Sequence, residues 1–326
     1  MPPAVDRRRL FLGFSGLAAA VAWSKPASAK PEHDAAAAIP VTHYRTATVD
    51  GIKIFYREAG PKDAPVVVLL HGFPTSSHMF RNLIPALADR YHVIAPDYPG
   101  FGFSDAPPVK EFAYNFDHLA EVVDGFLVQL GIEKYSIYIQ DYGSPIGFRL
   151  AVAHPERIQA IISQNGNAYD DGLSSFWAEN LKPFWENRDA ASEAKIRQML
   201  TLDVTKYQYL AGARDPEHIS PDGYTLDQLL LDRPGNAGIQ VELFYDYRVN
   251  LSRYSEWHEY LRTAQPPLLA VWGKNDPIFL PAGAEAFLRD DPKAEVHFLD
   301  TGHFALEEES GRIAAYIVEF LDRNVR

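Results

Sequence analysis

The chain has 326 residues, of which 47% are hydrophobic and 23% charged, so it is long and apolar enough to bury a sizeable core. Its 43 acidic side chains outnumber its 31 basic ones and give a formal net charge of −12, which excludes the basic surface that nucleic acids and anionic lipids require. The chain has no cysteine, which also excludes disulfides, thiol chemistry and cysteine-rich metal sites.

The first predicted element is a targeting segment. The stretch DRRRLFLGFSGLAAAVAWSKPASAK combines an arginine cluster, an apolar run and a small-residue cleavage site, which is the order typical of a secretory signal. Its apolar run is too short to span a bilayer comfortably. The Arg8-Arg9 pair resembles a twin-arginine (Tat) signal, with a general secretory signal or an uncleaved anchor as the alternatives. We predict a signal peptide over 1–29, a linker over 30–40, and a periplasmic or secreted protein with no membrane attachment after cleavage.

Strand-like and helix-like segments then alternate. A hairpin with a tight turn at Asp50-Gly51 comes first, followed by the β-branched run VVVLL, which is typical of a strand buried on both faces. The alternation stops over 166–265, where the sequence reads mainly as helices, and it returns with PPLLAVWG, AEVHFLD and a closing helix. This pattern predicts an α/β fold with a mostly parallel central sheet flanked by helices. The predicted core comprises 41–165 and 266–326, with 166–265 inserted as a helical cap.

Three chemically reactive side chains follow predicted strands. Asp141 lies at the tip of the turn between the strand YSIYIQ and the next helix, with the small residue Gly143 directly behind it. Asp276 follows the strand in PPLLAVWG, and His303 follows the last strand. Because ligands bind outside the carboxyl ends of parallel strands, we expect the three side chains to meet there. The alternative is that Asp141 caps the following helix and that Asp276 and His303 are unremarkable loop residues.

The motifs HGFPTSS, DYPGFGFSD, QDYGSPIGF, GKNDP and TGHFALEE occur in this order and span nearly all of the chain after residue 40. With them the chain resembles the aspartate-nucleophile branch of the α/β-hydrolases, which contains the epoxide hydrolases and the haloalkane dehalogenases. The resemblance implies that Asp141 is the nucleophile, His303 the general base and Asp276 the acid that orients the histidine. The backbone N–H groups of Phe73 and Tyr142 would form the oxyanion hole, and the reaction would need no metal or cofactor.

The resemblance does not decide between two leaving groups, an epoxide oxygen and a halide ion. Tyr142 follows the nucleophile where both families commonly have tryptophan, and Phe73 stands where many dehalogenases have asparagine; both departures weaken the dehalogenase reading. The segment LFYDYRVN resembles the one in which epoxide hydrolases place a ring-opening tyrosine, which corresponds to Tyr247. Alternatively, Trp185 or Trp177 could donate an indole N–H to a halide ion.

We therefore predict an exported hydrolase that acts on a small apolar epoxide through an ester on Asp141. The predicted apolarity of the substrate rests on the many aromatic residues of the cap, which could equally form the core of the cap. Haloalkane dehalogenase is the alternative activity. A small-molecule binding protein of the same fold is a further alternative, which the presence of Asp141, Asp276 and His303 together disfavours.

Overall fold

The computed structural model describes residues 40–325. The predicted signal peptide over 1–29, and the linker over 30–40 apart from its last residue, lie outside the described residues. Within the described range, no helix combines the length and the apolarity needed to cross a membrane.

An eight-stranded sheet forms the centre of the molecule, in the order β1-β2-β4-β3-β5-β6-β7-β8. Its strands are β1 (His43–Val49), β2 (Ile52–Ala59), β3 (Val66–Leu70), β4 (His92–Pro96), β5 (Tyr135–Ile139), β6 (Ile158–Gln164), β7 (Leu268–Gly273) and β8 (Glu295–Leu299). β1 and β2 form the predicted antiparallel hairpin, β2 pairs antiparallel with β4, and all other neighbours are parallel.

The sequence of the central strands explains their position. All residues of β4 and β5, and all but the first of β3, are buried, as near-continuous β-branched and aromatic runs require. At the hairpin, Asp50 and Gly51 both have positive φ angles of 49° and 84°, the geometry of a two-residue turn that matches the strand twist. The predicted fold class, a mostly parallel sheet flanked by helices, is confirmed.

Helices cover both faces of the sheet and fill the long segment between β6 and β7. They are α1 (Leu83–Leu87), α2 (Phe116–Gln129), α3 (Gly143–Ala153), α4 (Lys182–Glu186), α5 (Ala190–Arg197), α6 (Leu202–Leu210), α7 (Pro221–Leu231), α8 (Asn236–Ala264), α9 (Pro281–Asp290) and α10 (Leu306–Asn324). α1 and α10 bury their apolar residues against one face of the sheet, while α2, α3 and α9 cover the other.

The five helices α4 to α8 lie between β6 and β7 in the chain and above the carboxyl ends of the parallel strands. α8 has 29 residues and packs against α2 and α3, which ties this helical segment to the sheet. The backbone at the end of α6 also approaches the core closely, since a Cβ on Gly302 would lie 2.1 Å from the backbone oxygen of Ala211. The helical segment therefore covers the edge of the sheet at which the predicted reactive residues lie.

Candidate active site

Asp141 stands on a sharp turn between β5 and α3. It adopts the left-handed conformation with φ of 49°, which aspartate tolerates better than most residues. The turn also brings Gly143 so close to β3 that a Cβ there would lie 2.2 Å from the backbone oxygen of Leu70. A glycine at 143 and a short polar residue at 141 are therefore what this turn demands, and the turn presents the carboxylate above the sheet.

The two oxygens of the Asp141 carboxylate have different surroundings. Oδ1 accepts hydrogen bonds from the backbone N–H groups of Phe73 and Tyr142, each at 2.7 Å. Within residues 40–325, Oδ2 accepts no comparable bond, and it lies 3.8 Å from Nε2 of His303. One oxygen is thus held by two amides, and the other is left to react. Burial raises the pKa of Asp141, and His303 and the two amides offset part of that effect.

His303 is fully buried and is held by Asp276. Its Nδ1 lies 2.7 Å from Oδ2 of Asp276, which also accepts a hydrogen bond from the side-chain amide of Asn165 at 2.8 Å. The backbone N–H of Ile278 donates to the other oxygen of Asp276. Burial alone would lower the pKa of His303, but the carboxylates of Asp276 and Asp141 outweigh it, so the pKa lies above its usual value. The imidazole is therefore fixed with Nε2 toward Asp141.

A cavity of about 80 Å³ opens above Asp141. Its walls are mainly aromatic and aliphatic side chains, with two polar side chains, Tyr207 and Gln208, contributed by α6. The lining residues are Phe73, Asp141, Tyr142, Phe176, Trp177, Met199, Val204, Tyr207, Gln208, Phe244, Pro277 and Ile278. The site can hold an apolar molecule that presents one carbon to Asp141.

The structure shows the hydrogen-bond partners of the two cap tryptophans, whose halide-binding role stays a prediction. The indole N–H of Trp177 donates to the backbone oxygen of Ile278 at 3.0 Å, and that of Trp185 donates to the backbone oxygen of Phe244 at 2.7 Å. A donor that is already paired with a carbonyl is not free to stabilise a departing halide. Trp177 forms a wall of the cavity, whereas Trp185 is not among its lining residues.

Tyr247 lies in the middle of α8 and is 1% exposed. Its ring packs 4.4 Å from that of Trp177 and 5.6 Å from that of Phe116, centroid to centroid. Burial, followed by the neighbouring Tyr254 and by Asp141, raises the pKa of Tyr247 well above its usual value. The side chain is near Asp141 but is not among the residues that line the cavity, so its ring-opening role stays a prediction.

Three polar residues at the site were missed by the sequence analysis. Gln140 contacts the ring of His303 and Asn165 binds Asp276, while Gln208 lines the cavity. Gln140 and Asn165 could have been found, because each follows the carboxyl end of a parallel strand, where ligands bind. Nothing in the sequence distinguishes Gln208 from the other polar residues of the helical segment. Tyr207, which also lines the cavity, is one of the aromatic residues of the cap on which the predicted apolar pocket rests. Across residues 40–325, no cluster of three or more His, Asp or Glu side chains is arranged to hold a metal ion.

Comparison with known proteins places the chain in a family. Residues 65–310 match the α/β-hydrolase fold family. The chain is 45% identical over 279 residues to the uncharacterized hydrolase YNR064C of Saccharomyces cerevisiae, covering 84% of this chain and 95% of that protein. It is 37% identical over 302 residues to a haloalkane dehalogenase of Mycolicibacterium paratuberculosis, covering 86% of this chain and 92% of the relative.

Solved structures agree on the fold. Cfl2 from Burkholderia cenocepacia superimposes with a TM-score of 0.73 at 21% identity, over 86% of this chain and 95% of that one. The epoxide hydrolase CorEH superimposes with a TM-score of 0.70 at 22% identity, over 87% of this chain and 99% of that one. The chain is therefore a hydrolase that belongs to the α/β-hydrolase fold family.

Proposed function

We propose that the protein hydrolyses small apolar epoxides without a cofactor, through an ester between Asp141 and the substrate. The observation that carries the proposal is the unequal environment of the two Asp141 oxygens. Oδ1 is held by the amides of Phe73 and Tyr142, while Oδ2 lies 3.8 Å from Nε2 of His303. A carboxylate in this arrangement has one oxygen free to attack a carbon, and its carbonyl oxygen is already in place for the next step.

In the first step, Oδ2 of Asp141 attacks an sp³ carbon of the epoxide, and the bond from that carbon to the ring oxygen breaks. The ring oxygen takes a proton and becomes a hydroxyl group. In the second step, His303 removes a proton from water, which adds to Cγ of the ester. Negative charge then develops on Oδ1, where the amides of Phe73 and Tyr142 stabilise it. Collapse releases a diol, whose oxygen takes the proton from His303, and leaves Asp141 as a carboxylic acid. Its proton replaces the one that the ring oxygen took in the first step, which restores the carboxylate.

Formation of the ester also prepares the base. The negative charge of Asp141 is one of the two that raise the pKa of His303. Esterification removes that charge, so the pKa of His303 falls and the neutral imidazole is favoured in the step that needs it. Asp276 remains charged throughout and keeps the ring oriented.

The polar groups of the cavity favour an epoxide over a halide. Both cap indoles donate to backbone carbonyls, so neither Trp177 nor Trp185 supplies the N–H that a halide needs. Two polar residues of α6, Tyr207 and Gln208, line the cavity instead, and the ring of Tyr247 packs against that of Trp177. A hydroxyl group can donate a proton to the ring oxygen as the epoxide opens.

Haloalkane dehalogenation is the second candidate. It is supported by the 37% identity to a protein of that name and by the amide of Gln208, whose N–H could bind a halide ion. Both reactions pass through an ester on Asp141, so one experiment separates them.

The test is to replace His303 by glutamine and to measure the intact mass of the protein after exposure to styrene oxide or to 1-bromobutane. Without its base, the protein should accumulate the ester, because only the second step is blocked. A gain equal to the whole epoxide supports epoxide hydrolysis, and a gain equal to the haloalkane minus hydrogen bromide supports dehalogenation. The double variant His303→Gln/Asp141→Asn is the matched control and should gain nothing. Absence of an adduct with either compound would count against the aspartate nucleophile and in favour of a binding protein.

We also infer that the protein is exported, on the basis of the sequence pattern of residues 1–29 alone. Full-length protein should appear in the periplasm or the medium of the expressing bacterium, with a mass that shows cleavage. Replacing both Arg8 and Arg9 by lysine should hold it in the cytoplasm, since the twin-arginine signal requires that pair. Unchanged export of this double variant would point to the general secretory route.

A further inference from the structure

Gln140 directly precedes the nucleophile and contacts the base. It follows the last residue of β5, is fully buried, and donates its backbone N–H to the carbonyl of Leu70 in β3. Its side-chain Nε2 lies 2.9 Å from Nε2 of His303. The residue next to Asp141 in the sequence thus reaches the catalytic ring from the side opposite Asp276.

The hydrogen-bond partner of Nδ1 of His303 determines which atom donates in the contact between Gln140 and Nε2 of the ring. Nδ1 of His303 lies 2.7 Å from a carboxylate oxygen, which accepts only, so in the neutral ring the proton is on Nδ1. Nε2 then carries a lone pair, and the amide N–H of Gln140 donates to it. The lone pair that would take a proton from water is therefore already hydrogen-bonded before any substrate is present.

The carbonyl oxygen of the same amide has no hydrogen-bond partner within residues 40–325. Once His303 is protonated, Nε2 becomes a donor, and an N–H group facing it would be repelled. Rotation of the Gln140 amide by half a turn about the Cγ–Cδ bond would bring its Oε1, instead of its Nε2, next to Nε2 of His303. The ring otherwise faces the carboxylates of Asp276 and Asp141 and the rings of Phe279 and Phe304.

We infer that Gln140 is a positioning residue for the hydrolysis of the ester, because its amide can donate to the neutral His303 and, after half a turn, accept from the protonated one. The inference rests on the proposed function of Asp141 and His303. It assigns Gln140 to the second step only, since attack by Asp141 does not use the lone pair of His303.

Two variants of Gln140 should move the titration of His303 in opposite directions. Gln140→Leu removes the acceptor for the imidazolium, a hydrogen bond to a charged group, so the pKa of His303 should fall. Gln140→Glu supplies a carboxylate beside the ring, so that pKa should rise. The imidazole ¹⁵N resonances of the free protein measure both shifts without substrate, and His303→Gln identifies the signal.

Kinetics give the second measurement. With styrene oxide in rapid-quench mass spectrometry, Gln140→Leu should form the Asp141 ester at the wild-type rate and hydrolyse it about tenfold to a hundredfold more slowly. The pH midpoint of hydrolysis should shift down in Gln140→Leu and up in Gln140→Glu, because the base must be neutral.

Gln164 provides the matched control. It is also a fully buried glutamine at the end of a strand, and it donates to the backbone oxygen of His303 at 3.0 Å without touching the ring. Gln164→Leu should lower stability and leave the pKa of His303 in place. The inference is wrong if His303 titrates identically in wild type and both Gln140 variants, or if Gln164→Leu moves it equally. If His303 shifts as expected but no ester forms, the proposed function fails, and the assignment to hydrolysis fails with it.

Discussion

The carboxyl group of Asp227 in α7 is buried within the helical segment, and replacing it by asparagine should change how stability depends on pH. The hydroxyl of Tyr209 donates to Oδ2 of Asp227 at 2.5 Å, and the ring of Tyr209 stacks 3.9 Å above that of Phe304, the residue that follows His303. Burial raises the pKa of Asp227 from 3.8 to about 7. The folded protein therefore holds a proton that the unfolded chain releases near pH 4.

The sign and size of the effect follow from this difference. Because the folded state binds the proton more tightly, the contribution of Asp227 to the free energy of unfolding is fully present below pH 4. It is lost as the pH rises toward 7. A difference of about three pKa units corresponds to about 4 kcal/mol over the whole window. Between pH 5 and pH 8, where the protein can be handled, about 3 kcal/mol of it should be lost.

Urea unfolding of wild type and Asp227→Asn at pH 5, 6, 7 and 8 measures this difference, since the other titrating groups largely cancel. Relative to wild type, the variant should become more stable by about 3 kcal/mol from pH 5 to pH 8. The exposed Asp222 of the same helix is the control, and Asp222→Asn should show a much smaller dependence. A difference between Asp227→Asn and wild type that stays constant over this range would refute the argument.

Three further variants test the geometry of the site. Gly72→Ala would place a Cβ 2.3 Å from that of Asp141, so ester formation in single-turnover mass spectrometry should fall about a hundredfold, and a wild-type rate would contradict the geometry. Gln208→Leu should lower kcat/KM for styrene oxide about tenfold without lowering Tm, because no hydrogen bond within residues 40–325 depends on that amide; a lower Tm would reveal a structural role. Asn165→Ala removes a donor to Asp276 and should slow ester hydrolysis about tenfold, with ester formation measured in parallel as the unaffected step.

The sheet and the positions of the reactive residues were predictable because local rules fix them. The apolar, β-branched run of β3 is stable only when it is buried, and the tight turn at Asp50-Gly51 fixes the pairing of the first hairpin. Asp141, Asp276 and His303 follow the ends of β5, β7 and β8 by two, three and four residues. Parallel strands bring their carboxyl ends to one edge, so sequence order alone predicts that these three side chains meet.

The side chains of the helical segment were not predictable in the same way. Which face of each helix meets the cavity depends on packing between elements far apart in the chain. The indole of Trp177 binds a carbonyl 101 residues away, and that of Trp185 binds one 59 residues away. No local pattern anticipates such pairs, and for that reason the sequence did not reveal the partners of the two indoles, and Gln208 was overlooked.

The indole of Trp177, as one wall of the cavity, gives the protein an optical reporter of its own site. Of the four tryptophans within residues 40–325, Trp257 and Trp272 are buried and do not line the cavity. In protein that lacks the predicted signal peptide, and with it Trp23, changes in emission on adding a ligand should therefore come mainly from Trp177 and its neighbour Trp185. A molecule that enters, reacts and leaves would perturb the emission only transiently. A molecule that is merely retained would perturb it for as long as it stays. The time course of fluorescence in a single mixing experiment would thus show whether the cavity processes its occupant or stores it.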